Sequence, residues 1–262
     1  MKLTPEDLAK QHTDEAIAAR IAGPPVGDYA GDFVLGGVDG TITTFAIVAG
    51  VAGANYGVTV AMVLGIANLL ADGFSMAISN YLKARSDQMQ LKKYRQIENI
   101  HIKEVPDREQ EEIRQIFAAK GFEGELLEQV VDTICEDRRR WVDTMLVEEW
   151  GLRLQPPTPW KSGLVTFAGF VLAGSIPLLP LPMILLGFTS DTIFLISAIL
   201  TVIAFALIGV FRAKVVQEGA IASVLETVLT GGFAAAIAYG VGILLQWLVR
   251  NYLPIPLPPA KM

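Results

Sequence analysis

GGVDGTITTFAIVAGVAG at residues 36–53 and AMVLGIANLLADGFSMAISNYL at residues 61–82 decide the fold of this chain. Each approaches the length of apolar helix, about 20 residues, that crosses a hydrocarbon core. Yet together they carry Asp39, Asp72 and Met76. A carboxylate in hydrocarbon is costly, so ionisable groups inside spans face a pathway or a partner rather than lipid. The combination points to ion movement through a membrane. The plainer alternative is a set of buried, satisfied polar groups.

Five segments reach span length, at 32–54, 58–82, 161–187, 191–211 and 220–249. The third closes with SIPLLPLP, where Pro177, Pro180 and Pro182 break regular helix near a membrane face. The fourth reads as structural. In the fifth, Glu226 is a third deep acid just ahead of the small-residue run GGFAAAIAYG. It is open whether it carries protons, ligates metal or partners a polar neighbour. Small residues at four-residue steps in the first span (Gly36 and Gly40, Ala46 and Gly50, Ala49 and Gly53) permit close helix approach, within a chain or across a dimer.

The whole composition agrees. With 52% hydrophobic residues, 18% charged and a mean hydropathy of +0.44, the chain is too apolar for an ordinary soluble domain. Its charges are concentrated: 16 of the 27 acidic and 13 of the 21 basic residues lie between Lys83 and Arg153. A polar insert therefore separates spans two and three. Cys135 is the only cysteine, which excludes an intrachain disulfide framework or a cysteine-based zinc site within one chain and fits a reducing side for the insert. The first 30 residues lack the apolar core of a cleavable signal peptide and read as a short amphipathic helix around Leu8, Ile17 and Ile21. Lys83, Arg85, Lys92, Lys93 and Arg95 after the second span, with Arg212 and Lys214 after the fourth, make those ends cytoplasmic.

The fold expected is thus all-α: a polytopic membrane protein of five transmembrane helices with a cytoplasmic helical insert. Its parts are an N-terminal segment at 1–30, spans one and two within 31–82, the insert at 83–157, spans three to five within 158–250, and a Pro-rich extended tail at 251–262. The N-terminus and insert lie inside and the C-terminus outside.

Spacing sharpens the polar residues. Asn68, Asp72, Met76 and Asn80 recur every four residues and form a stripe on the second span, while Asp32 and Asp39, seven apart, share a face of the first. Counted from the cytoplasmic ends, Asp39 and Met76 lie at similar depth, where they can touch one ion together. Carboxylate plus thioether suits a first-row divalent metal better than Mg²⁺ or Ca²⁺. The insert reads as helices broken at Pro106 and at Gly121 to Gly124: one continues the second span to about Glu104, one covers about Asp107 to Ala119, and one or two reach Trp150. It carries paired potential ligands, Glu98 with His101, Glu109 with Glu112, and Met145 with Glu149. In so acidic a segment such pairs also arise as solvated helix faces.

The motifs DGTITTFAIVAG, NLLADGFSMAISNYL, WVDTMLVEEWGL, GLVTFAGFVLAGSIPLLPL and GGFAAAIAYGVG, in that order over roughly residues 30–250, resemble the vacuolar iron transporter family. The resemblance, to a prokaryotic-type member, implies export of Fe²⁺ and often Mn²⁺ from the cytosol in exchange for protons. It also implies a homodimer with a metal path at its interface, and a metal-binding cytoplasmic domain. By position, Asp39 and Met76 match the family's membrane metal pair and Asp32 an acid of the same pathway. Glu98, Glu109, Glu112, Met145 and Glu149 match the insert ligands. His101 stands where the best-known eukaryotic member has glutamate, and Leu146 where it has a second methionine. Asp72 and Glu226 join Asp39, Met76 and Asp32 as candidates for the membrane metal pathway, and by depth either Asp72 or Glu226 would carry the protons. Expected partners are Fe²⁺, Mn²⁺ or other first-row divalent ions, protons, the bilayer of a cell membrane and a second copy of the chain, with no prosthetic group and no nucleic acid. Two other readings remain. Glu98-x-x-His101 has the spacing of ferritin-like di-iron helices, which need a second such pair from a dimer to make an iron oxidase. The other is a membrane-anchored metal sensor.

Overall fold

The computed structural model describes residues 4–22 and 28–252, and every regular element within them is helical. The N-terminal segment forms two helices rather than one, α1 (Pro5–Gln11) and α2 (Asp14–Ala22). The break follows from Thr13, whose hydroxyl accepts from the Ala16 N–H and so starts a new helix with Asp14 and Glu15 in its first turn. Of the tail expected to be extended at 251–262, Asn251 and Tyr252 instead end the last helix, and the rest lies outside the described residues.

Two compact units follow, one of residues 82–159 and the other of the sequence on either side. The second contains five helical segments long and apolar enough to cross a membrane. They are α3 (Asp28–Gly53), the first part of α4 (Val58–Glu104), α8 (Pro159–Gly174) with the turns that follow it, α9 (Ser190–Val216) and α10 (Ala220–Tyr252). The third span is only partly α-helix. After Gly174 it continues as 3₁₀ turns at Ile176–Leu178 and Leu181–Leu186, each with proline in its first turn. Large apolar side chains such as Leu179, Leu207, Leu229 and Phe233 point outward, as expected where the surroundings are lipid.

Lipid tails are as apolar as leucine, so burial alone does not drive these helices together; close packing does. The four-residue steps of α3 serve packing inside the chain. A Cβ at Gly40 would lie 2.5 Å from the Phe170 carbonyl oxygen of α8, and one at Gly36 would collide with the Thr166 carbonyl. One at Gly53 would strike the Tyr239 carbonyl of α10. From the other side, Gly174 faces the Gly40 carbonyl at 2.7 Å and Gly242 abuts that of Gly50. Between these seams lies a core of Val48, Val51, Leu69, Phe170, Leu181 and Ile193.

The other unit holds the end of α4 with α5 (Pro106–Ala119), α6 (Gly124–Glu136) and α7 (Arg138–Glu148). α4 stops at Glu104, one residue before Val105 and the Pro106 that opens α5. Ile113, Val131, Trp141, Val142, Met145 and Leu146 make its core. Arg114 of α5 pairs with Glu111 and, at 2.9 Å, with Glu128 of α6. The Cys135 thiol is pushed up to about 11 by burial, which keeps it protonated and unreactive at neutral pH.

Gly40→Val, which drives side-chain atoms into the α8 backbone, is expected to cost about 1–3 kcal/mol. It should lower the thermal midpoint of the detergent-solubilised protein followed by circular dichroism. Gly57→Ala, whose Cβ meets nothing within 4 Å, should leave it unchanged.

Candidate metal sites

Asp39 of α3 and Met76 of α4 line one cavity of about 410 Å³, with Arg212 of α9 and Glu226, Thr227 and Thr230 of α10. The packing explains the convergence. Gly40 locks the backbone beside Asp39 onto α8, and the glycine seams hold α3 against α10. Two carboxylates, a thioether and threonine hydroxyls form a mixed donor set of the kind that suits a first-row divalent cation. Among the described residues, none makes a hydrogen bond or a direct ion pair with the Asp39 carboxylate, although Arg212 lines the same cavity. Glu226 differs: the Arg212 guanidinium donates to it at 2.7 Å.

The other polar residues of the spans divide. Asp32 accepts from the Asn80 amide at 2.8 Å, and that amide also donates to Thr166 at 2.7 Å, so Asp32 belongs to a network joining α3, α4 and α8. Asp72 is exposed on α4, outside the cavity lining but within electrostatic reach of Asp39. Asn68 is half-buried, and its amide nitrogen has no partner. The four-residue stripe is therefore not one environment. Each such step advances about 40° beyond a full turn, enough to carry Asp72 to the surface while Asn80 is buried. The fourth span is also more than structural, since Arg212, inside α9 rather than after it, reaches the cavity.

In the insert, the corner at Val105 folds α5 back on the end of α4. Glu98, His101 and Glu109 there offer ligand atoms within 4.8 Å of one another. Glu98 and Glu109 are 0% and 3% exposed, and each keeps one buried carboxylate oxygen without a hydrogen-bond partner. Orphaned acceptors of this kind are expensive unless a proton or a cation occupies them, so the residues fit a bound metal ion. The remaining contacts orient them: Trp150 donates to Glu98 at 2.8 Å while its ring packs on Tyr94, and His101 Nδ1 lies 3.2 Å from Glu109.

Burial, with the charges of Glu112, Glu98 and Glu149 around it, pushes the Glu109 carboxyl up to about 7. Burial and the charges of Glu98 and Glu112 also raise Glu149, opposed by His101 and Trp150. Glu112 and Glu149 are exposed and act on the cluster through their charge. Met145 is fully buried in the apolar core beside Leu146. Trp150 and Arg212 carry no spacing signal, and the stripe that includes Asn80 does not announce its pairing with Asp32, because each of the three finds its acid elsewhere in the chain.

A carboxyl raised on folding makes the native state bind more protons than the unfolded chain, so its contribution to stability is full below about pH 4.5 and is lost as pH rises through about 7. Glu149 acts in the same direction. The metal-free protein should therefore lose thermal stability between pH 5 and 8 in chelator, and Glu109→Gln should flatten that slope. Divalent metal, which replaces the proton, should stabilise more at pH 8 than at pH 6.

Residues 30–243 match the model of the VIT family. The chain is 34% identical over 229 residues to a protein of Toxoplasma gondii named vacuolar iron transporter, covering 85% of this chain and 76% of that one. A vacuolar iron transporter of Centaurea cyanus is 31% identical, covering 82% and 86%. Vacuolar iron transporter 1 of Arabidopsis thaliana is 29% identical, covering 89% and 90%. The order of helices, the paired acid and thioether between the first two spans and these likenesses agree: the chain is a multi-pass membrane protein that belongs to the VIT family.

Proposed function

We propose that this protein exports Fe²⁺ or Mn²⁺ from the cytosol in exchange for protons. The observation that carries the reading is the meeting of Asp39 and Met76 in one cavity within the spans, beside a second carboxylate. The names of the relatives support metal as cargo, and a family of transporters sets the oxidase alternative aside. The insert, facing the cytosol, captures the ion on Glu98, His101 and Glu109 with Glu112 and Glu149 adding negative field. Asp39 and Met76 then receive it. A second copy of the chain closes the open side of the cavity and completes the path.

Proton exchange follows from the donor set. A carboxylate cluster must be deprotonated to hold metal, and in a low-dielectric site the emptied cluster favours a proton. The exposed Asp72, close to Asp39, is the group best placed to carry protons, since Glu226 is committed to Arg212.

Uptake of Fe²⁺ and Mn²⁺ into proteoliposomes with an internal pH dye tests the reading. Wild type should move metal with opposing proton flow. Asp39→Ala should abolish both, and Met76→Ala should lower them by at least the roughly tenfold that even outer-shell partners cost. Metal binding without flux would overturn it. Glu109→Gln in the insert should raise the metal concentration for half-maximal flux while sparing the maximal rate.

A further inference from the structure

We propose that Arg212 is a resident counter-cation of the Asp39–Met76 cavity, holding Glu226 while the cavity is empty and repelling a bound divalent cation so that it leaves. The inference rests on the reading of that cavity as the metal path. Arg212 and Glu226 come from different helices, α9 and α10, and pair at 2.7 Å on the wall that also carries Asp39 and Met76. Arginine stays charged under all working conditions. A guanidinium is therefore a permanent positive charge beside a site whose donors suit a positive ion.

The charge arithmetic gives the consequence. Empty and after releasing its proton, the wall carries Asp39, Glu226 and Arg212, a net single negative charge that attracts a cation. Loaded with a dication it becomes net positive, and the ion competes with Arg212 for Glu226. Without Arg212 the loaded site would be neutral and the ion would rest in a deep well. A carrier needs binding strong enough to load and weak enough to release. Arg212 sets that balance without ligating the metal, as a positioning residue that acts through Glu226. Threonines 227 and 230, on the same wall, are neutral and cannot replace it.

The test is metal flux in proteoliposomes of the full chain with Mn²⁺ as the probe, analysed for KM and kcat separately. Arg212→Gln should lower KM by at least roughly tenfold, the scale of a unit charge acting on a dication across several ångströms of bulk water and therefore a lower bound inside a protein, and lower kcat with it. Arg212→Lys should keep both near wild type. Glu226→Gln should raise KM, because it leaves the guanidinium uncompensated. In a double-mutant cycle Arg212→Gln should relieve much of that rise. An unchanged or raised KM in Arg212→Gln, or a Glu226→Gln effect of equal size with and without Arg212, overturns the proposal. If Arg212→Gln does not assemble, direct comparison of Glu226→Gln with Arg212→Lys/Glu226→Gln decides: equal rises in KM support a charge effect, and loss of the rise with lysine overturns it. Should Asp39→Ala retain wild-type flux, the cavity is not the path and the underlying reading fails. Should Asp39→Ala be dead while Arg212→Gln behaves as wild type, only the role of Arg212 fails.

Discussion

A carboxylate removed from water must be given a proton, a hydrogen-bond donor or a cation, and the structure is organised around how each acid meets that demand. Asp32 is answered by an amide, Glu226 by a guanidinium, and Glu98 in part by an indole N–H. Asp39 is left without such a partner inside a cavity, and Glu98 and Glu109 each retain an oxygen with none. The satisfied acids hold helices together. The unsatisfied ones are where a cation is wanted, and they fall in two separate places, among the spans and in the insert.

In the insert, the corner between α4 and α5 does the chemical work. Glu98 and His101 share a face at the end of one helix, and Glu109 sits just inside the start of the next. Proline forces the break between them. Burial, with the neighbouring acids, raises Glu109 to about 7, so a cation bound there would compete with a proton. Metal binding at such a cluster would be linked to proton release.

Much of the fold was legible in the sequence. Hydropathy marks the spans because lipid tolerates few charges, and Pro106 with Gly121 and Gly124 marks the breaks of the insert because proline cannot extend the preceding helix and the two glycines adopt positive φ. Depth counting paired Asp39 with Met76 for a simple reason: both lie near the same ends of adjacent antiparallel helices. What stayed hidden depends on rotation about helix axes. The four-residue stripe on α4 turned as it climbed, separating Asp72 from Asn80. The partners Asn80 for Asp32, Arg212 for Glu226 and Trp150 for Glu98 come from other helices, and no periodicity announces them. Arg212 looked like a topological marker because it was read as flanking a span that the helix in fact continues beyond. Met145, a ligand candidate by spacing, is fully buried in the core of the insert, a depth that spacing alone does not reveal.

The glycine seams of α3 have an evolutionary side. Their opposing surfaces are backbone carbonyls of α8 and α10 rather than side chains, and a backbone cannot be trimmed by mutation. Glycine has no smaller replacement either, so a substitution at Gly40 or Gly53 admits no compensating change across the contact. The seam is a one-way constraint in sequence space, and Asp39, adjacent to Gly40, inherits it.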